Sequence, residues 1–256
     1  MLRLTDIHSH KLKQNSHQWS ELFLHSAKTQ KAIYHSLFNF MYSPYVSHHL
    51  QLIELQKIPE AQNISIGIHP WVISDLPFNN AFNDDWKINL EILAANSRVK
   101  LIGECGLDLM PKLKKYHDIQ LEVLKDQIEL ATKLQKGIVL HCVKAYQKLF
   151  ELLKFFPPEL PIIFHFYQGS ASETLNLLQL PSCKFSFGFD LFNSKNKKKY
   201  SEIIRMIPIN RILVESDDNQ KNLQLIQIYE FIAKVKGIPV ATTINFINNN
   251  FDEIIS

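Results

Sequence analysis

The sequence lacks the features of several large protein classes. Its 256 residues include only three cysteines, Cys105, Cys142 and Cys183, and none forms a Cys-x-x-Cys pair, so we expect neither a disulfide framework nor a thiolate zinc site. No apolar run is long enough to span a membrane, and the N-terminal residues show no cleavable signal. We therefore expect a cytoplasmic protein without membrane contact, in which the cysteines are small buried apolar residues.

The sequence also lacks a large net charge. The formal net charge is +3 with the eleven histidines taken as neutral, which is too weak to indicate nucleic-acid binding by itself. The sequence contains no linker, repeat or low-complexity segment. Hydrophobic residues make up 46% of the chain and charged residues 21%, as in an ordinary globular protein, so residues 1–256 are predicted to form a single domain.

The most informative stretch is a carboxylate that follows an apolar run in the middle of the chain. Residues 99–102 are apolar apart from one lysine, and Glu104 comes directly after Gly103, with Gly106 two residues further on. The glycines allow a sharp backbone turn, so we expect Glu104 at the tip of a strand. Because one carboxylate can bridge two cations, Glu104 is predicted to be the centre of a metal site.

Histidines occupy the same kind of position, at the end of a short apolar run, both before and after Glu104. They are His8, His10, His69, His141 and His165. His8 and His10 lie two residues apart, and on a strand such side chains point to the same face, so they can hold one cation together. The last apolar run ends in acids that include Asp217.

Eight short apolar runs, mostly alternating with helical patterns, predict an α/β fold. The runs are residues 2–10, 31–40, 63–69, 99–104, 138–142, 161–166, 183–188 and 211–218. The clearest helical spacing lies at residues 121–134, with Gly137 as the predicted C-terminal cap. This order predicts a single (β/α)8 TIM barrel with its metal site at the C-terminal ends of the strands.

Imidazole nitrogens combined with carboxylate oxygens suit zinc, manganese or other borderline cations. Six ligands are more than one tetrahedral ion needs, so the sequence predicts two divalent ions. His8, His10 and Asp217 would hold the first, His141 and His165 the second, with Glu104 as the bridge. Such pairs activate water for hydrolysis, with phosphate esters as natural substrates. Asp217 is a candidate both for ligation and for accepting the proton of that water.

Several separated motifs together resemble one known family. They are His8-x-His10, Gly67-x-His69-Pro70, Gly103-Glu104-Cys105-Gly106-Leu107-Asp108, His141, His165 followed by Gly169-Ser170, and Glu215-Ser216-Asp217. In this order they look like the TatD family of metal-dependent deoxyribonucleases. The resemblance implies a TIM-barrel hydrolase of the amidohydrolase type that cleaves DNA, often as a 3′ to 5′ exonuclease, with magnesium, manganese or zinc. It assigns metal roles to the same six residues.

The chain departs from the family pattern where the substrate phosphate is expected to bind. Family members usually have an arginine where this chain has Val143, and Lys144 beside it is our candidate for a point-charge contact, as in a shorter bacterial branch of the family. We expect His69 to be a second substrate-binding residue. The family's usual proline soon after the last aspartate is also missing, since residues 218–221 read Asp-Asn-Gln-Lys. Hydrolysis is therefore predicted more firmly than the identity of the substrate.

Lysines and aromatic residues after the strands are further candidates for substrate contacts. The lysines lie at residues 112–115 and 195–199, and the aromatic residues are Trp71, Tyr167 and Phe192. A solvated loop explains the lysines equally well, and packing in the core or in a loop explains the aromatic residues better than stacking on bases does. We expect a monomer that acts on single-stranded DNA or another phosphodiester. The alternatives are hydrolysis of another ester or amide on the same fold, and a metal-binding protein without nuclease activity.

Overall fold

The computed structural model describes residues 2–10, 20–23, 29–44, 48–74, 85–217 and 225–256. Within these ranges the chain forms nine strands. They are β1 Leu2–Ser9, β2 Ser20–Phe23, β3 Thr29–Met41, β4 Asn63–Gly67, β5 Val99–Asp108, β6 Gly137–Val143, β7 Ile162–Phe164, β8 Cys183–Phe187 and β9 Ile212–Val214. The histidines His17 and His25, for which the sequence suggests no ligand role, lie outside the described residues.

The α-helices of the described residues mostly alternate with these strands. They are α1 His48–Lys57, α2 Pro70–Ser74, α3 Trp86–Ala94, α4 His117–Lys133, α5 Tyr146–Leu153, α6 Ala171–Leu177, α7 Lys197–Met206, α8 Leu225–Lys236 and α9 Val240–Ile255. Short 3-10 helices occupy Pro111–Tyr116, Phe189–Phe192 and Ile209–Arg211. None of the helices described has both the length and the apolar character needed to cross a lipid bilayer.

The strands follow one another in the sheet in the order β1, β3, β4, β5, β6, β7, β8, β9, and β2 pairs with β3 from the side. The ladders β1–β3, β4–β5, β5–β6, β6–β7 and β8–β9 are parallel, whereas β2–β3 is antiparallel. Beyond β9, Asp217 forms an isolated parallel bridge with Ser9 of β1. Eight parallel strands with alternating helices confirm the predicted (β/α)8 barrel fold.

The chain packs as two compact units. The terminal unit comprises residues 1–38, 166–178 and 184–256, and the central unit comprises residues 39–165 and 179–183. The single domain over residues 1–256 stays a prediction.

In the terminal unit, β1 packs against the last helix. Asn248 of α9 donates to the backbone carbonyl of Arg3 at 3.0 Å, and the Tyr229 hydroxyl of α8 donates to the carbonyl of Thr5 at 2.9 Å. Leu4 and Ile7 of β1 are fully buried. The strand that carries His8 is therefore fixed along its length.

In the central unit, one glutamine of α4 fixes the end of β4. Gln127 is buried, and its Oε1 accepts the backbone N–H of Ile68 at 2.7 Å while its Nε2 donates to the carbonyl of the same residue at 3.3 Å. These bonds satisfy the backbone groups of the residue just beyond β4. They hold the chain at the residue directly before His69.

Two local predictions prove wrong. The helix α4 ends at Lys133, and Gln135, not Gly137, takes the left-handed conformation after it with φ of 53°. Lys136 N–H bonds to the carbonyl of Ala131 and Gln135 N–H to that of Thr132, which is the Schellman arrangement. Gly137 instead opens β6, where a Cβ would lie 2.4 Å from Pro161.

The second correction concerns Glu104, which does not lie at a strand tip. Strand β5 continues to Asp108, and its register with β6 shifts between Ile102 and Cys105. Gly103 and Gly106 have φ of 133° and 140°, and a Cβ at either would lie within 2.2 Å of a carbonyl oxygen of β6. The glycines therefore form a bulge and a close strand approach rather than the end of a strand.

Candidate metal centre

Three donor atoms converge in the terminal unit, from His8, His10 and Asp217. The two Nε2 atoms of His8 and His10 are 3.1 Å apart. Asp217 Oδ1 lies 3.3 Å from His10 Nε2 and 3.9 Å from His8 Nε2. His8 is fully buried, whereas His10 and Asp217 are partly exposed. This group has the donor types and spacing to hold one cation with an open side.

The backbone explains why Asp217 faces the two histidines. Its N–H donates to the carbonyl of His8 at 3.1 Å, beside the bridge between Ser9 and Asp217. Its φ is 50°, in the left-handed region that aspartate tolerates better than most residues. The carboxylate is thus directed by pairing with β1.

A buried carboxylate fixes the residue before Asp217. Asp6 is fully buried, and its Oδ1 accepts the backbone N–H of Ser216 at 3.0 Å. Its Oδ2 accepts the Ser216 hydroxyl at 2.6 Å. The turn that carries Asp217 is therefore held to β1 by side-chain bonds as well as by its backbone.

In the central unit, a single oxygen of Glu104 faces three imidazoles. Its Oε1 lies 2.6 Å from His165 Nε2, 3.0 Å from His69 Nε2 and 3.1 Å from His141 Nδ1. All four side chains are largely buried. Glu104, His69 and His141 have the donor types and spacing for a second cation.

Asn39, which sequence reasoning missed, makes two further contacts with Glu104. Asn39 Oδ1 accepts the backbone N–H of Glu104 at 3.0 Å, and its Nδ2 donates to Glu104 Oε2 at 3.4 Å. The hydroxyl of Ser65 donates to the same Asn39 oxygen at 3.2 Å. The available sequence signal is an amide near the end of the predicted strand 31–40.

The imidazoles decide the charge of Glu104. Burial acts to raise the pKa of this carboxyl, but the charge of His165 and the contacts with His141 and His69 outweigh burial and hold the pKa well below its ordinary value. Burial lowers the pKa of His69 despite Glu104. The pKa of His141 is raised, because Asp108 and Glu104 overcome the effect of burial. The ionised carboxylate is the form of Glu104 that binds a metal.

Next to this group lies a tryptophan fixed by a second carboxylate. Trp71 Nε1 donates to Asp108 Oδ2 at 2.7 Å, and its backbone N–H donates to His69 Nδ1 at 3.1 Å. Asp108 Oδ2 also lies 3.6 Å from His141 Nε2. Burial acts to raise the pKa of Asp108, but its contacts with His141 and Trp71 outweigh burial and lower the pKa from 3.8 to about 2.

The donor set fits divalent metal ions. Both groups combine imidazole nitrogens with at least one carboxylate, and within each group the candidate ligand atoms all lie within 4.8 Å of one another. Neutral imidazole and carboxylate suit zinc, manganese and related cations. A sequence family profile with the description "TatD related DNase" matches residues 5–256.

The chain belongs to the TatD-related DNase family. Among its relatives, the human "3'-5' RNA nuclease TATDN2" is 28% identical over 75% of this chain and 26% of its own length. The "3'-5' ssDNA/RNA exonuclease TatD" of Pantoea ananatis is 28% identical over 66% of this chain and 64% of its own length. The chain thus aligns with about a quarter to under two thirds of these curated relatives.

Two solved structures of TatD proteins share the fold. The TatD homologue YJJV of Escherichia coli K12 superposes with a TM-score of 0.71 at 19% identity, covering 86% of this chain and 85% of its own. A TatD family hydrolase of Entamoeba histolytica gives a TM-score of 0.70 at 16% identity, covering 98% and 97%. At these identities the superpositions establish the fold.

The structure of this TatD family member brings the sequence-predicted residues together in the two groups just described, with one exception. Lys144 is exposed beyond the end of β6, with φ of 56°, and belongs to neither group. His69, predicted to bind substrate, lies among the candidate ligands beside Glu104. Asp108 and Asn39, neither of which was assigned a role from sequence, are the additional polar partners.

The lysine and aromatic candidates differ in their surroundings. Residues 112–115 lie in a 3-10 helix instead of the expected loop, and the ammonium of Lys199 bonds to the carbonyl of Gln168 at 2.5 Å. Tyr167 is buried, whereas Phe192 and Trp71 are exposed. Burial excludes Tyr167 from stacking on a base.

Proposed function

We propose that the chain is a metal-dependent hydrolase that cleaves phosphodiester bonds in single-stranded nucleic acid and releases nucleotides from the 3′ end. The observation that carries this proposal is the contact of one buried Glu104 oxygen with three imidazoles. Such an arrangement suits a bound cation that activates water. Membership of the TatD-related DNase family supports a nuclease.

The names of the relatives support a single-stranded substrate. The Pantoea ananatis relative is described as acting on single-stranded DNA and RNA, and the human relative as an RNA nuclease. A relative in Bacillus subtilis, 35% identical over 49% of this chain and 48% of its own length, is described only as a metal-dependent hydrolase. We propose DNA as the main substrate, and RNA is the comparison substrate in the test below.

We further propose two divalent ions, Mg, Mn or Zn, as the sequence predicts. His8, His10 and Asp217 would hold the first, His141 and His165 the second, and Glu104 would be shared between them. When bound, the ions supply a water of lowered pKa and stabilise the charge on the departing oxygen.

The chain's own residues would then perform the remaining steps. Asp217 would accept a proton from the attacking water as well as ligate, a proposal supported by its partial exposure and its contact with His10. His69 and Lys144 would contact the phosphate, Lys144 as a point charge. We propose that the protein works as a monomer in the cytoplasm.

A second candidate function is hydrolysis of another ester or amide. It is favoured by Val143, which stands where family members usually have arginine. A site without that bidentate group has lost a strong phosphate contact, so its preference for a phosphate over another ester or an amide would be weaker.

The test is nucleotide release from end-labelled single-stranded DNA and RNA after metal stripping and readdition of Mg²⁺, Mn²⁺ or Zn²⁺. Wild type should cleave only with metal and remove the 3′ label first. Glu104→Gln should lose at least roughly 100-fold in rate, the scale expected for removing one electrostatic stabiliser. The matched control is Glu151→Gln, since Glu151 is an exposed carboxylate paired with Lys154.

Two results would contradict the proposal. Equal rates with and without metal would rule out the metal role, and equal rates for Glu104→Gln and Glu151→Gln would remove Glu104 from the chemistry. If metal binds but neither nucleic acid is cleaved, the second candidate function or metal binding without turnover takes its place.

A further inference from the structure

Trp71 combines high exposure with a fixed orientation. It keeps 54% of its surface exposed, yet its indole N–H is bound by buried Asp108 at 2.7 Å and its backbone N–H by His69 at 3.1 Å. Its ring also meets the edges of His69 and His141 at centroid distances of 5.0 and 5.8 Å. The indole is therefore held directly beside the candidate ligands.

Other exposed apolar residues in the described part of the central unit provide a contrast. Ile88, Ile92 and Phe155 are at least as exposed, and the contact recorded for the Phe155 ring is with the flexible ammonium of Lys154 at 5.2 Å. Single exposed apolar residues need no explanation. An exposed aromatic ring whose polar edge is tied to a buried carboxylate is preorganised, which lowers the entropic cost of binding a ligand on its face.

Cationic side chains lie on a segment that packs against the helix carrying Trp71. The helix α2, which carries Trp71, packs against the 3-10 helix Pro111–Tyr116. Lys112, Lys114 and Lys115 of that segment are exposed. An aromatic face beside lysines is the combination by which proteins hold single-stranded nucleic acid, because the base stacks while the cations neutralise phosphates.

We propose that Trp71 is a stacking platform for a nucleobase next to the scissile phosphate. The proposal rests on the proposed nuclease function and refines it, because it makes a base-bearing strand, rather than a simple phosphate ester, the preferred substrate. Asp108 serves as the positioning residue that holds the indole plane.

The first experiment measures binding without catalysis. Metal-stripped protein is titrated with a deoxyadenylate decamer while tryptophan fluorescence is recorded. Wild type should be quenched, whereas Trp71→Ala should bind about tenfold more weakly with most of the quenching lost. Trp71→Phe, which keeps an aromatic face but not the indole N–H, should fall between them. Trp86→Phe is the matched control, since Trp86 is 6% exposed in the same unit.

The second experiment uses wild type, Trp71→Ala and Trp86→Phe. It compares the decamer with decamers abasic at the last or the penultimate 3′ nucleotide, first in the same fluorescence titration and then in cleavage with the metal restored. Removal of the base at one of these positions should lower the kcat/KM of wild type about tenfold. The same removal should leave the kcat/KM of Trp71→Ala unchanged, because the base and the indole act as one pair.

The outcomes separate this proposal from the proposed function. If wild type cleaves and Trp71→Ala matches Trp86→Phe in both experiments, the platform is ruled out and the nuclease stands. If no cleavage occurs with any metal, but quenching depends on Trp71 and on the base, the platform stands and the nuclease fails. The platform would also be overturned if Trp71→Ala lost the same factor in kcat/KM, relative to wild type, on the abasic strands as on the normal strand.

Discussion

Left-handed backbone conformations occur at or near several candidate ligands. Asp217, Lys144 and Phe166 have φ of 50°, 56° and 43°, and Phe166 directly follows His165. Each costs backbone energy unless its surroundings compensate. For Phe166 the compensation is visible, since its N–H donates to the buried Glu215 carboxylate at 2.7 Å. These conformations turn the chain at the ends of strands and so direct the side chains that precede or follow.

The Asp108 carboxylate should make the metal-free protein less stable at acidic pH. Its pKa is lowered from 3.8 to about 2 in the folded chain, so its ionised form stabilises the fold above pH of about 4. That contribution is lost as the pH falls from about 4 towards 2. In urea unfolding, the free energy of unfolding of wild type should exceed that of Asp108→Asn at pH 6, and this difference should narrow as the pH falls from about 4 towards 2.

The asparagine variant is a close match, because its carbonyl oxygen can still accept the indole N–H of Trp71. If the gap between the two proteins is the same at pH 6 and at pH 2.5, the ionised carboxylate makes no net contribution. Circular dichroism and tryptophan fluorescence should report the same midpoints if unfolding is two-state.

At the scale of elements, the bond between Asp6 and Ser216 joins β1 to the turn after β9. A buried hydrogen bond to a charged group contributes about 1.5–3 kcal/mol. Ser216→Ala should therefore lower the free energy of unfolding by about that amount. The control is Ser201→Ala, since the Ser201 hydroxyl bonds within an exposed part of α7 and should cost less than about 0.5 kcal/mol.

A double-mutant cycle isolates the pair. In an Asp6→Ala background, the cost of Ser216→Ala should fall below roughly 1 kcal/mol, because its partner is already gone. Equal costs in both backgrounds would mean that the serine acts through something other than Asp6.

The elements show which features the sequence predicts well. The eight barrel strands are found where apolar runs of short length predict them, because a parallel strand buried on both faces has a strong local signature. Strand β2, Ser20–Phe23, is missed, since it lies in a polar stretch and exists through its pairing with β3. The prediction of Gly137 as a helix cap is wrong, because the glycine at this position allows close approach to Pro161 and does not end the helix.

The candidate site follows the same division. The sequence predicts the histidines and Glu104 as candidates because each lies at or near the end of an apolar run, which is a local pattern. Asn39, Asp6 and the Trp71–Asp108 pair are not identified, because their roles depend on which residues meet across strands. Such contacts are set by register, and a register shift such as that between Ile102 and Cys105 leaves no mark on hydropathy.

At the scale of the whole molecule, bound metal should stabilise the fold. A ligand that binds only the folded chain adds about 2.7 kcal/mol at a concentration of 100 times its Kd. We expect Mn²⁺ or Zn²⁺ to raise the melting temperature of the stripped protein, and a chelator to reverse the shift. Differential scanning calorimetry at several metal concentrations measures this directly.

The variants of the cleavage test supply the controls. Glu104→Gln should show a much smaller shift than wild type, and Glu151→Gln should show the full shift. A melting temperature that does not respond to any of the three metals would contradict metal binding by these residues, whatever the nuclease assay gives.

Three of the glycines in the central unit, Gly67, Gly103 and Gly106, have a consequence for sequence variation. A Cβ at Gly67 would lie 2.6 Å from the Cα of Gly103, one at Gly103 would lie 2.2 Å from the Val139 carbonyl oxygen, and one at Gly106 would lie 2.0 Å from that of His141. None of these glycines carries a donor for a metal or a substrate. In a library of all single substitutions, these positions should nevertheless be as depleted as the histidines, so depletion alone would not distinguish the chemistry of this protein from its backbone spacing.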